Sequence, residues 1–211
     1  MERILEIYSR LRPAKVFADI GCDHGLVAEL AAKNALAEKI YITDISAECL
    51  KKAEKLLKRF IDVGTVESVV CDGFSGIEEP VDEALIAGMG GEEIVKILSS
   101  SAYRCERLVL QPMKNPEKVR AYLVGNGYKI LEDVTFRDVK YYDIVAAERG
   151  EDELSEEEIL FGRTNLAERP QAFIDKVKAE IEDIGEYLKN PMNETSRAAL
   201  TARREKLRGI L

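Results

Sequence analysis

Residues Asp19-Ile20-Gly21-Cys22-Asp23-His24-Gly25 lie between an apolar run, Val16-Phe17-Ala18, and a helical pattern that begins Leu26-Val27-Ala28-Glu29-Leu30-Ala31. A strand that ends on an acid, turns through two glycines four positions apart and opens directly into a helix points to an α/β sheet with a ligand site at the strand's carboxyl end. Glycine provides the positive φ or the close backbone approach that such a turn needs. A nucleotide-like ligand at this turn lies against the N-terminus of the following helix. The spacing is not Gly-x-Gly-x-x-Gly, which argues against a nicotinamide dehydrogenase, since no glycine is placed for a dinucleotide's pyrophosphate. An acid ahead of the first glycine suits a ligand that carries an ammonium group.

The rest of the chain keeps the same alternation as far as residue 150. Apolar patterns predict parallel strands over 15–20, 39–44, 67–71, 82–86 and 107–111, with helices over 26–34, 47–60, 92–99 and 116–126. Ser46 is a good N-cap for the second helix, and Pro116 suits a first helical turn. Segments 128–136 and 140–148 form a closing hairpin. Composition then changes: 151–158 is strongly acidic, and no strand pattern follows. Pro170 opens a helix with an apolar stripe at Phe173, Val177, Ile181, Ile184 and Leu188; Asn190-Pro191 breaks it, and a second helix spans 194–208. The division expected is an α/β domain over 1–150 and a helical hairpin over 151–211.

Three acids close successive predicted strands: Asp19, Asp44 and Asp72, the last followed by Gly73. A lone strand-end Asp is usually a cap or turn former. Three beside a glycine turn read instead as ligand contacts. Asp44, with the adjoining Ile45, stands where ribose-binding fingerprints place an acid, and a carboxylate can accept from both ribose hydroxyls. His24 is the only histidine and sits inside the turn, which favours a loop-shaping or ligand role over proton transfer. Cys22, Cys49, Cys71 and Cys105 form no CxxC pair, so reduced thiols in a cytoplasmic protein and no metal site are expected. The charged stretch 2–6 is not a signal peptide, and no apolar run approaches the ~20 residues of a membrane span.

The first motif resembles that of class I methyltransferases that use S-adenosyl-L-methionine, with Asp23 where most members carry glycine. Asp19-Ile20-Gly21-x-Asp23-His24, the later Gly88-Met89-Gly90-Gly91, and Leu110-Gln111-Pro112-Met113-x-Asn115 together resemble a narrower group, the bacterial tRNA (adenine-22-N1)-methyltransferases. The resemblance spans nearly the whole chain and is clearest over 15–150. It implies a Rossmann-like methyltransferase sheet with a late antiparallel hairpin. It implies S-adenosyl-L-methionine as cofactor, held by Asp19, Gly21, Asp23, His24, Gly25, Asp44, Ile45, Asp72, Gly73 and Gly88. It also implies tRNA as partner, with neither a membrane nor an obligate protein partner evident. Gly88 to Gly91 would form the substrate edge, exposing backbone groups to the base with Met89 against it; a tight strand-to-helix turn is the plainer alternative. Gln111 and Asn115 offer amides to an adenine edge, although Asn115 before Pro116 is equally an N-cap.

Neutral adenine carries a lone pair on N1, so attack on a sulfonium methyl needs alignment and no prior deprotonation. Positive charge develops on the base, and Asp23 is the side chain nominated to face it. The net charge of −8 runs against nucleic-acid binding, but its distribution matters more. Residues 73–95 hold six acids and no base, 96–140 hold nine bases against five acids, and 189–208 hold six bases against two acids. Arg203 and Arg204 in the last stretch are the candidate tRNA contacts; a solvated helix face is the alternative. A small-molecule methyltransferase is the rival function, because a cofactor motif does not choose the acceptor.

Overall fold

In the computed structural model, which describes residues 2–101 and 104–211, the first strand β1 (Ala14–Ile20) is the axis of the sheet. It pairs in parallel with β2 (Ala37–Asp44) on one side and with β4 (Glu83–Gly90) on the other. β3 (Val66–Val70) extends the sheet beyond β2, and β5 (Arg107–Lys114) extends it beyond β4. β7 (Tyr141–Arg149) joins β5 antiparallel, and β6 (Tyr128–Arg137) forms the outer edge, giving the order β3-β2-β1-β4-β5-β7-β6 among the described residues. The chain winds outward from β1 to β3 and then crosses back to β4. A crevice therefore opens at the carboxyl ends of β1 and β4, where an open α/β sheet binds its ligands.

Helices cover both faces, which is why Phe17, Ala18 and Ile20 are all buried along β1. On one face Ile7, Val27, Leu50 and Leu57 enter the core from α1 (Glu2–Tyr8), α2 (Leu26–Lys33) and α3 (Ala47–Asp62). On the other, Ile94, Ile97, Val119 and Leu123 come from α4 (Gly91–Ser100) and α5 (Pro116–Gly125). Ser46 caps α3 as its type predicts, accepting from the Cys49 N–H at 3.2 Å.

β4 and β5 run further than their apolar patterns suggest. β4 continues through Gly88 to Gly90 by register shifts around Met89, and Pro112 of β5 is tolerated because it faces that irregular stretch. The acidic segment after residue 150 also holds more than its charge suggests. Ser155 and Glu158 make a capping box that starts α6 (Glu156–Phe161), whose first-turn acids face the positive end of the helix dipole. α7 (Arg163–Glu168) follows directly. α8 (Gln171–Tyr187) and α9 (Glu194–Ile210) pair through Phe173, Val177, Ile184, Leu207 and Ile210.

A buried ion pair fastens these helices to the sheet. Arg120 Nε donates to Asp133 Oδ2 at 2.9 Å with both side chains fully enclosed, and Arg120 Nη1 donates to the Ile159 carbonyl at 3.1 Å. Asp133 also accepts from the Arg163 and Thr164 N–H groups at 3.0 and 2.8 Å, so its charge is fully served. Among the described residues, no helix is long and apolar enough to cross a membrane.

Candidate functional site

The three strand-end loops are bound to one another by hydrogen bonds that converge on Thr43. The N–H groups of Gly21 and Cys22 both donate to the Thr43 carbonyl, at 2.8 and 3.0 Å, tying the β1 turn to the end of β2. Thr43 Oγ1 donates in turn to the Gly73 carbonyl at 3.2 Å, which fixes the loop after β3. Gly21 takes φ +68°, a conformation side chains resist. The acids at these three ends are thus held on one frame.

Two clefts meet there. The larger, of about 460 Å³, is lined by Asp19, Asp23, His24, Asp44, Gly88 and Met89, with Arg3 and Met113 at its rim. The smaller, of about 150 Å³, is lined by Asp44, Ile45, Asp72, Gly73 and Lys96. Gly21, Asp44 and Met89 border both. The resemblance assigned Asp19, Gly21, Asp23, His24, Asp44, Ile45, Asp72, Gly73 and Gly88 to the cofactor, and the fold gathers all of them on this pair of clefts. Gly25 lies just behind, buried, with its N–H donated to the Cys22 carbonyl at 2.8 Å.

Asp19 is the buried acid of the set, 5% exposed, and it accepts one hydrogen bond from the Ala28 N–H. Burial pushes its carboxyl up to about 7, with that hydrogen bond opposing. No cation pairs with this carboxyl among the described residues, and an acid so placed at the wall of a cleft can take up an ammonium group. Asp44 is better hydrated; its Oδ1 accepts from the Ser46 N–H at 2.8 Å, and its Oδ2 faces the Asp23 N–H at 3.4 Å. Burial, with Asp19 and Asp44 nearby, raises the Cys22 thiol, which makes it a packing group and not a nucleophile. Asp23 and His24 are exposed at the mouth, with His24 Nε2 3.6 Å from Asp23 Oδ2.

The substrate edge differs in detail from the expectation. Of Gly88 to Gly91 only Gly88 is freely exposed, at φ +79° and with open space where a Cβ would stand. Gly91 is buried at the start of α4, and a Cβ there would come within 2.3 Å of the Asn115 carbonyl oxygen, so it serves helix–loop packing. Gln111 does not present its amide to the clefts: it is fully buried, with Nε2 donating to the Pro112 carbonyl at 3.2 Å and Oε1 enclosed without a partner. Asn115 stands at the N-cap position of α5 in a left-handed conformation, but its side chain caps nothing and donates to Glu92 Oε1 at 2.7 Å. Sequence reasoning also missed Arg3, Ile4 and Ile7, which α1 lays along the larger cleft. Their only signal was the amphipathic start of the chain, which carries no information about where it packs.

Arg203 and Arg204 lie on α9, away from both clefts. Arg203 forks onto Glu180, at 2.7 and 3.1 Å, and covers the Phe161 ring at 4.9 Å. Arg204 is half-buried beside Gly185, with its Nε enclosed and unpaired.

Comparison with known proteins agrees with this geometry. The sequence model of a family described as tRNA (adenine(22)-N(1))-methyltransferase, TrmK, matches residues 17–210. A provisionally assigned tRNA methyltransferase of Mycoplasma pneumoniae is 33% identical over 156 residues, spanning 70% of this chain and 71% of that protein. The tRNA (adenine(22)-N(1))-methyltransferase of Bacillus subtilis is 27% identical over 155 residues, 71% of this chain and 65% of that protein. The structure of M. capricolum TrmK in complex with S-adenosyl-homocysteine superposes with a TM-score of 0.90 at 21% identity, covering 99% of this chain and 96% of that one, a likeness of fold.

Proposed function

This chain belongs to the tRNA (adenine(22)-N(1))-methyltransferase family, and from that premise we propose how its own residues divide the work. The activity is transfer of a methyl group from S-adenosyl-L-methionine to N1 of an adenine in tRNA, at position 22 as in the family. Asp19 receives the amino group of the cofactor, Asp44 the ribose hydroxyls, and Asp72 with Ile45 the adenine. The carrying observation is the enclosed Asp19 carboxyl on the same cleft as Asp44 and the open Gly88.

Bound S-adenosyl-L-methionine supplies an electrophilic methyl group on a sulfonium centre. The protein's contribution is alignment, at a near-attack distance of ~3–3.5 Å, and shielding from water. The adenine N1 needs no base to attack, so no proton-abstracting residue is assigned. Gly88 leaves room for the base, and Met89 flanks it. The Asp23 carboxylate at the cleft mouth offsets the positive charge that grows on the ring. Gln111, being enclosed, is a positioning residue that orients the Pro112–Met113 end of β5, and Asn115 holds α4 to the β5–α5 loop through Glu92. The helical segment 151–211 meets the tRNA body with its basic end, and the enzyme works in the cytoplasm alongside its substrate.

The test is mass spectrometry of nucleosides from unmodified tRNA incubated with protein and cofactor. 1-Methyladenosine is expected, and its loss when adenine 22 is replaced. A methylated metabolite with unmodified tRNA would instead establish the small-molecule reading.

A further inference from the structure

The hairpin β6–β7 ends in a feature that cofactor binding does not explain. β7 runs antiparallel to β5 with Leu110 opposite Val145, so its first residues stand at the carboxyl end of β5, where Arg3 reaches both Met113 and the Tyr142 ring. The turn beyond, residues 138–140, therefore rises at the same sheet edge as Gly88 and Asp23. At its tip Val139 is 84% exposed, more than any other large apolar residue described. A single exposed valine means little by itself. Its setting is what matters. Arg137 and Lys140 flank it and are both exposed.

The turn is also braced, unlike a simple surface loop. The Asp138 N–H donates to the Lys140 carbonyl at 3.0 Å, closing it tightly. Beneath it Phe136 and Tyr142 stack with ring centres 5.5 Å apart. Arg3 of α1 lies over the Tyr142 ring at 5.5 Å, and its backbone N–H donates to Asp138 Oδ2 at 3.1 Å. Arg3 and Met113 are at the same time rim residues of the larger cleft. An apolar point on a braced turn, flanked by cations and tied through Arg3 to the rim of the larger cleft, thus stands beside it.

We propose that the β6–β7 turn is a wedge for structured RNA, with Val139 entering the base stack beside the target adenine while Arg137 and Lys140 hold the adjoining phosphates. This rests on the tRNA reading above. In folded RNA the N1 edge of an adenine is usually engaged in pairing, and exposing it costs unpairing and unstacking free energy. Apolar side chains inserted between base steps open stacks in this way, and cations beside them neutralise the backbone brought close.

The test uses the full chain and tRNA with 2-aminopurine in place of the target adenine, whose fluorescence rises when the base leaves the stack. Val139 touches little, so Val139→Ser leaves the fold and S-adenosylhomocysteine affinity unchanged. Its fluorescence rise on binding should fall by more than half. Its kcat/KM on natural tRNA should fall about tenfold, yet stay within twofold of the parent on tRNA whose target adenine has lost its pairing partner. Arg137→Ala with Lys140→Ala should reduce the salt dependence of tRNA binding. Equal losses on paired and unpaired tRNA, or no loss on either, would overturn the wedge. A parent protein that methylates no tRNA at all would overturn the substrate reading instead.

Discussion

The terminal methyl group of Met89 rests on the backbone of Gly21, so closely that a Cβ built on Gly21 would stand 2.0 Å from it. This contact divides the two clefts, because Gly21 and Met89 border both. On the assignment proposed above, a cofactor that reaches from Asp19 to Asp72 would pass over Gly21, and Met89 would turn aside. Its unbranched thioether does so easily. Once displaced, it would stand against the incoming base.

Met89→Ala should therefore separate binding from chemistry. Removing the side chain joins the clefts, and S-adenosylhomocysteine should bind severalfold more tightly by calorimetry. The base loses its flank, so kcat on tRNA should fall by about tenfold, on the order of the 1.4 kcal/mol that a partial stacking contact provides. Gly21→Ala should weaken cofactor binding strongly, since Met89 can swing away from the new methyl group but that group then stands in the path over residue 21, on a backbone at φ +68° that side chains resist. Equal affinity for S-adenosylhomocysteine in Met89→Ala and the parent would show that Met89 does not obstruct the groove.

If Asp19 receives the ammonium group, it should link cofactor affinity to pH. Its carboxyl is raised to about 7 by burial, so in the free protein the ionised form opposes folding. The stability it contributes is fully present below the unfolded value near 3.8 and is lost as pH rises through 7. Asp19→Asn should match the parent at pH 4 in thermal denaturation and exceed it at pH 8, by at most ~4 kcal/mol. Cofactor binding should change the other way. An ammonium group favours ionised Asp19, so parental affinity should climb between pH 6 and 8, while the Asn variant binds weakly at every pH. A parental affinity that is flat across this range would remove Asp19 as the ammonium receptor.

Asp44→Ala is the simplest check of the ribose site. The side chain is partly exposed and its structural bonds are local, to Ser46 and Asp23. The variant should fold normally and bind S-adenosylhomocysteine about tenfold to a hundredfold less well, as expected from ~1.5–3 kcal/mol for a hydrogen bond to a charged group. Circular dichroism and calorimetry on the same sample distinguish this from unfolding.

Much of this site is visible in the residues themselves, because it is built from short local signals. The apolar run, the acid and the glycine turn of 19–25 lie within one strand–turn–helix unit, and Asp44 and Asp72 follow the same local grammar. What the sequence hides depends on contacts distant along the chain. β4 extends through Gly88 only because β5 pairs with it there, across a gap that no local propensity bridges. Gln111 reads as a free amide until the sheet encloses it. Arg3 reaches the cleft from the far end of the sequence. The capping box at 155–158 is a different case, a local Ser-x-x-Glu signal ahead of Ile159 that the surrounding acids outweigh when the segment is read by charge alone.

The helical segment is not expected to be dispensable for folding. A chain ending near Gly150 would strip Asp133 of the Arg163 and Thr164 N–H donors and Arg120 of the Ile159 carbonyl, and would open the hairpin face to water. Breaking a buried charge network of this kind costs ~3–5 kcal/mol, a large share of the ~5–15 kcal/mol that holds a typical domain folded. The truncated chain should be poorly soluble or melt many degrees lower. Arg120→Met in the full chain should reproduce much of that loss. A truncated chain with a parental melting temperature would show that the pair is not the fastening it resembles.

Point substitutions on α9 are then the fair test of tRNA binding by the tail. Arg203 is committed to Glu180 and Phe161, whereas Lys189, Arg197, Lys206 and Arg208 project further into solvent. If the basic end meets the RNA backbone, Lys206→Ala with Arg208→Ala should weaken binding similarly for every tRNA sequence and lower the slope of log K against log salt by one to two. Arg204→Ala should act in the same direction, while Arg203→Ala should mainly loosen the α8–α9 pair and lower the melting temperature. Cofactor affinity should stay at the parental value in all of them, since none borders either cleft. Unchanged tRNA affinity and salt slope in the Lys206/Arg208 variant would move the RNA-binding face elsewhere, with the β6–β7 turn and Arg3 the next surface to probe.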